Sequence, residues 1–147
     1  MSLEADIRKM ERTRPFDLLP REALQLIAFS CGKKALKAGE TLFDEGEPAD
    51  AAYFLLSGAI DLVAGGVERR VQSGTLIGET ALMTDMSRRA GARAAEDCVA
   101  LRIPGEVFRR VLSEFPQAAA KIRAATAARA SDFLDRLDEV RARAFES

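Results

Sequence analysis

The sequence predicts a mainly β domain preceded by a helix and followed by two more. Three observations carry that reading. All ten glycines of the 147 residues lie between Gly32 and Gly105, and glycine punctuates turns while weakening helices. Between Gly39 and Gly74, glycines or glycine pairs recur every 7 to 12 residues, a pitch that suits short strands in a small barrel, roll or sandwich better than strands separated by crossover helices. The stretches outside the glycine zone are rich in helix formers, and the length supports one domain with a real core.

The elements follow in order. Residues 1–14 are too charged for a signal peptide. Pro20-Arg21-Glu22 then opens a short amphipathic helix, with proline where a first helical turn tolerates it and Leu24, Ile27 and Ala28 at helical spacing. The β-rich runs are Thr41-Leu42-Phe43, Tyr53-Phe54-Leu55-Leu56, Ile60 to Val63 and Ala100 to Ile103. Phe43, Tyr53, Leu55, Leu82 and Leu101 are expected to be buried. Gly65-Gly66 reads as a hairpin carrying Arg69-Arg70 on its solvated side. Pro104-Gly105-Glu106 starts a helix whose Val107, Phe108, Val111 and Leu112 form an apolar face, with Arg109 and Arg110 opposite, until Pro116 ends or kinks it.

A last helix runs from about Gln117. In it Ala130, Phe133, Leu137, Val140 and Ala144 recur at spacings of 3 and 4, a narrow seam of the coiled-coil type. The seam packs either on its own domain or on a partner helix, and the expectation is a homodimer. Residues 1–120 and 121–147 are accordingly read as a β-roll with flanking helices and a C-terminal lid or dimerisation helix.

Composition excludes several chemistries. Twenty-two basic against 23 acidic residues give a formal charge of −1, so charge implies neither a nucleic acid nor a membrane partner. There is no histidine, which removes Ser-His-Asp and Cys-His catalysis and imidazole metal ligands. Cys31 and Cys98 are too few for a thiolate cluster and are expected to be free and buried. No apolar run approaches the ~20 residues of a membrane span. A cytoplasmic protein without cofactor, metal or catalytic residues is the expectation.

Residues 38–63, AGETLFDEGEPADAAYFLLSGAIDLV, resemble the opening strands of a cyclic-nucleotide-binding domain, with Gly39, Gly46 and Gly58 at its turns. Residues 78–94, GETALMTDMSRRAGARA, resemble that family's phosphate-binding cassette: Gly-Glu-x-Ala-Leu, a spacer, then Arg, a small residue and Ala. The resemblance spans about residues 16–145. It implies a jelly-roll-like double-stranded β-helix of about eight strands with flanking helices, as in catabolite-activator and protein kinase A regulatory proteins. The implied ligand is cyclic AMP, with cyclic GMP as the alternative.

The chemistry of such a site can be stated independently. A cyclic phosphate is a compact monoanion, well held by one fixed guanidinium and backbone N–H groups at a helix start. Gly78 allows close approach, and Glu79-Thr80-Ala81-Leu82 can begin the helical turn. Glu79, an acceptor only, suits a ribose hydroxyl. The gapless register makes Arg88 the phosphate ligand and puts Arg89 where the family usually has Ser, Thr or Ala. The alternative register makes Arg89 the ligand and Ala90 the small residue. Leu62 and Val71 fall on strands that line the family's base pocket, or else are ordinary core.

Three functions compete. The chain is a cyclic-nucleotide sensor module, the ligand-binding part of a catabolite-activator-type regulator, or a β-roll whose pocket has degenerated. From Lys121 onward the sequence reads as one helix without the turn and second helix of a helix-turn-helix, so no nucleic-acid contact is expected from this chain alone. An enzyme is the least favoured, because the carboxylates show no convergent pair.

Overall fold

A computed structural model describes residues 3–84 and 86–127. Two helices, not one, precede the strands: α1 (Leu3–Met10) and α2 (Arg21–Ser30), with a short 3-10 turn at Phe16–Leu18 between them. α2 starts directly after Pro20, whose extended backbone leads into the first turn, as proline chemistry expects. α1 was hidden in the sequence by its charge. It buries only Asp6, Ile7 and Met10, and it is tied down by Lys33 Nζ on Asp6 at 2.9 Å and Lys9 Nζ donating to the Leu56 carbonyl at 2.7 Å.

The middle is all antiparallel. One four-stranded sheet has the order β1 (Lys33–Leu36), β10 (Cys98–Pro104), β4 (Ala51–Ser57), β7 (Leu76–Ile77). The second has the order β2 (Thr41–Phe43), β9 (Gly91–Ala94), β5 (Ala59–Ala64), β6 (Val67–Gln72). A two-residue ladder of β3 (Pro48–Ala49) and β8 (Met86–Ser87) accounts for the excess over the expected eight strands. Seven glycines from Gly39 to Gly78 take positive φ, so the glycine spacing does mark the turns of a roll. Two helices close the described chain: α3 (Gly105–Glu114) and α4 (116–127).

Two cores flank the first sheet. β4 is buried along nearly its whole length because both its faces are covered. Ala52, Phe54 and Leu56 meet the helices together with Phe16, Leu24 and Phe108, while Tyr53, Leu55 and Ile60 fill the roll with Phe43, Val71 and Ala100. Phe16 stands edge-on to Phe54 and Phe108, with centroids 5.8 and 6.3 Å apart. The five residues expected in the core are all buried. Cys98 is buried as expected, but Cys31 is half-exposed; both are free thiols. Cys31 immediately follows α2 and only its inner side reaches the helical core.

α4 carries Ala118, Ala119 and Ile122 into the helical core, so the expected division at 120/121 falls inside a helix. The seam from Ala130 to Ala144 lies outside the described residues. No described helix is long and apolar enough to cross a membrane.

Candidate functional site

Gly78 ends β7 in the left-handed region, at φ 72° and ψ 38°, and starts a 3-10 helix over Glu79–Leu82. A side chain there would place Cβ 2.5 Å from Nη1 of Arg88, so the cassette can approach Arg88 only through glycine. At the other end of this short helix, α3 packs hard. Gly105 leaves no room for a Cβ against the Ala81 carbonyl, and Arg109 Nη1 donates to the Leu82 carbonyl at 3.2 Å.

Arg88 directly follows β8, and its side chain turns inward. Only 7% exposed, it donates through Nη2 to the Ala51 carbonyl at 2.7 Å and lies over the Phe43 ring at 4.1 Å, with Tyr53 at 5.7 Å. Its backbone is fixed on both sides, Gly46 N–H donating to its carbonyl at 2.9 Å and its own N–H to the Glu47 carbonyl at 2.8 Å. Nε and Nη1 are buried with no hydrogen-bond partner. Burial holds this guanidinium below its ordinary pKa, partly offset by Tyr53, Asp50 and Glu47, yet an arginine remains a cation in a protein. Two orphan donors on a buried charge cost roughly 1–3 kcal/mol each or more. An anion supplying two acceptors removes that penalty.

These groups line a cavity of 190 Å³. Its inner wall is apolar, from Phe43, Ala49, Leu62 and Ile77, with Arg88 among them, and Gly78, Thr80, Ser87, Arg89 and Ala90 complete it. The structure separates the two adjacent arginines: Arg88 is inside and Arg89 exposed. Leu62 lines the cavity, whereas Val71 does not and packs in the roll interior against the core. Glu79 does not line it either. It faces a second, mainly apolar cavity of 210 Å³ on the other side of the 3-10 helix, bounded by Leu18, Phe108 and Ile122. Thr80 borders both cavities.

Sequence reasoning missed six contributors: Ala49 and Ile77 of the apolar wall, Ser87, Phe43, Tyr53 and the Ala51 carbonyl. Ser87 could have been found from its place beside Arg88. Phe43 and Tyr53 were read only as core, although an aromatic beside a buried cation also shields it. The Ala51 carbonyl leaves no trace in a side-chain motif.

A family model described as cyclic nucleotide-binding domain matches residues 33–115, which contain the whole cavity. The chain belongs to the cyclic nucleotide-binding domain family. Among solved structures, a cyclic nucleotide-binding-like protein from Brucella abortus is 37% identical, with a TM-score of 0.68, covering 74% of this chain and 97% of that one. An uncharacterized NTE family protein of Mycobacterium bovis is 36% identical over 97 residues, 65% of this chain and 17% of its own length. The cAMP-dependent protein kinase regulatory subunit of Aspergillus niger is 40% identical over 78 residues, 51% of this chain and 19% of its own length. The chain thus spans less than a fifth of these two curated relatives. Its family fold is the β-roll described above, with residues 78–94 running from the end of β7 through β9.

Proposed function

We propose that this cyclic nucleotide-binding domain is a sensor module whose 190 Å³ cavity takes the cyclic phosphate of cyclic AMP, with Arg88 as the phosphate ligand. The observation that carries the reading is the buried Arg88 guanidinium with Nε and Nη1 unpartnered. A cyclic phosphate oxygen pair supplies the two missing acceptors and neutralises the charge. Phe43, Leu62 and Ile77 keep water from competing, and Gly78 gives the anion access to the cassette backbone. The cyclic AMP assignment rests on the likeness to a cAMP-dependent kinase regulatory subunit.

Calorimetric titration with cyclic AMP and cyclic GMP tests it. Binding is expected, stronger for cyclic AMP, and Arg88→Ala should lose on the order of 2–5 kcal/mol, more than Arg89→Ala does. A larger loss at Arg89 would reverse the assignment of the phosphate ligand. Absence of binding by the intact chain would leave a roll with a degenerate pocket.

We read the chain as a binding module and not an enzyme. Its NTE family relative shares with it only a segment of 17% of that protein's length, which leaves room for an activity elsewhere in such proteins. A cytoplasmic location and homodimerisation through Ala130, Phe133, Leu137, Val140 and Ala144 are part of the same reading, the dimer being supported by the spacing of that seam. Sedimentation velocity should show a dimer at tens of micromolar that Leu137→Glu dissociates; a monomeric wild type removes the dimer from the proposal.

A further inference from the structure

The cavity holds more positive charge than a cyclic phosphate can use. Arg88 lies within it and Arg89 at its rim, and no carboxylate lines it among the described residues. Once a monoanion has paired with Arg88, the charge of Arg89 is left over. Arg89 makes no side-chain hydrogen bond or ion pair among the described residues, as is common for exposed arginines, but it alone of the exposed arginines lines this cavity. The neighbouring rim hydroxyls of Thr80 and Ser87 are likewise exposed and donate to no protein group among the described residues.

The charged groups facing Arg88 do not change this count. Asp50 is already paired with Arg102 at 3.3 Å, Glu47 is exposed, and neither lines the cavity. At the rim, then, three donors stand at an opening that no carboxylate lines among the described residues.

We propose that Arg89, with Thr80 and Ser87, extends the Arg88 anion seat so that it admits nucleoside phosphomonoesters, whose phosphate is a dianion near neutral pH, as well as cyclic monoanions. This deepens the reading of Arg88 as the phosphate ligand and rests on it. One phosphate would be shared by two guanidiniums: Arg88 Nε and Nη1 from inside, Arg89 from the rim. Charge complementarity then favours the dianion, and a pocket with Arg88 alone does not.

The test is calorimetry on the intact chain with two probes, adenosine 5′-monophosphate and cyclic AMP. At pH 7.5 their affinities should lie within about tenfold of each other, and Arg89→Ser should shift their ratio at least about tenfold toward cyclic AMP, as expected for loss of one charge-assisted contact. The monophosphate should also bind up to about tenfold tighter at pH 7.5 than at pH 5, following the second phosphate ionisation near pH ~6. Cyclic AMP remains a monoanion throughout and serves as the control for any pH effect on the protein itself.

Cyclic AMP binding without monophosphate binding overturns the role of Arg89 and leaves the cyclic-nucleotide reading intact. An Arg89→Ser variant that weakens both probes equally also overturns it. Binding of neither probe overturns both readings. Thermal unfolding of Arg89→Ser at the wild-type temperature confirms that a shifted ratio is not a folding defect.

Discussion

The two faces of β4 are built from the same kind of residues and do different work. On the helical side, Phe54 meets Phe16 and Phe108 in a wholly apolar core closed by α1 to α4. On the roll side, Tyr53 and its neighbours surround an interior that opens at one end and holds a buried cation with two unpartnered donors. The first face gains free energy simply by excluding water. The second gives some of it up to keep a charge ready, which is where a ligand can add stability. Alternation along one strand is therefore enough to place a structural core and a binding cavity back to back.

The largest test of that comparison is Phe54→Ala. It should cost about 3–5 kcal/mol of folding free energy, the range for deleting a buried phenylalanine, read from urea unfolding. The cavity lining does not include Phe54, so the chain that remains folded should keep its nucleotide affinity. Loss of affinity without loss of stability would break the division between the two faces.

Gly78→Ala is expected to be smaller in stability and larger in binding. A left-handed backbone costs a non-glycine residue roughly 1–2 kcal/mol, and the added Cβ, 2.5 Å from Arg88 Nη1, displaces the guanidinium from the anion's path. A modest fall in the unfolding midpoint with at least about tenfold weaker cyclic AMP binding is the expected result. Unchanged binding would show that Arg88 need not sit against Gly78.

The two thiols sharpen the comparison with the least effect, because one belongs to each side. Cys31 touches the helical core and Cys98 lies in the roll interior. Burial is the leading cause that pushes Cys31 up to about 11, with Arg102 partly opposing it, and it also raises Cys98 above the ordinary thiol value. A raised thiol pKa means less thiolate, so at pH 8 both should react with iodoacetamide more slowly than in the unfolded chain, Cys98 the slower because it is more enclosed. By linkage, the Cys31 contribution to stability is complete below pH 9 and declines as the pH rises toward 11. Fast modification of Cys98 would show that the roll interior opens readily.

Much of the fold was legible in the sequence. Glycine spacing marked the turns, alternation marked β2, β4, β5 and β10, Pro20 and Pro104 marked helix starts, and Pro116 marked the break between α3 and α4. α1 was not legible, since three inward residues among charged ones carry too little periodic signal in eight positions. Of the site, Gly78, Thr80, Leu62, Arg88, Arg89 and Ala90 were named and do meet at one cavity, while Glu79 faces the opposite side of its helix and Val71 stays in the core.

What the sequence determined alone is the order and kind of the elements, because turn chemistry and apolar spacing act over a few residues. The choice between Arg88 and Arg89 belonged to the tertiary structure. Their local sequence is the same, and only the surfaces brought in from β2, β4 and the Gly78 turn decide which guanidinium is enclosed. Burial, orphaned donors and the Ala51 carbonyl arise from residues 10 to 45 positions away from Arg88, and no local pattern encodes contacts at that range.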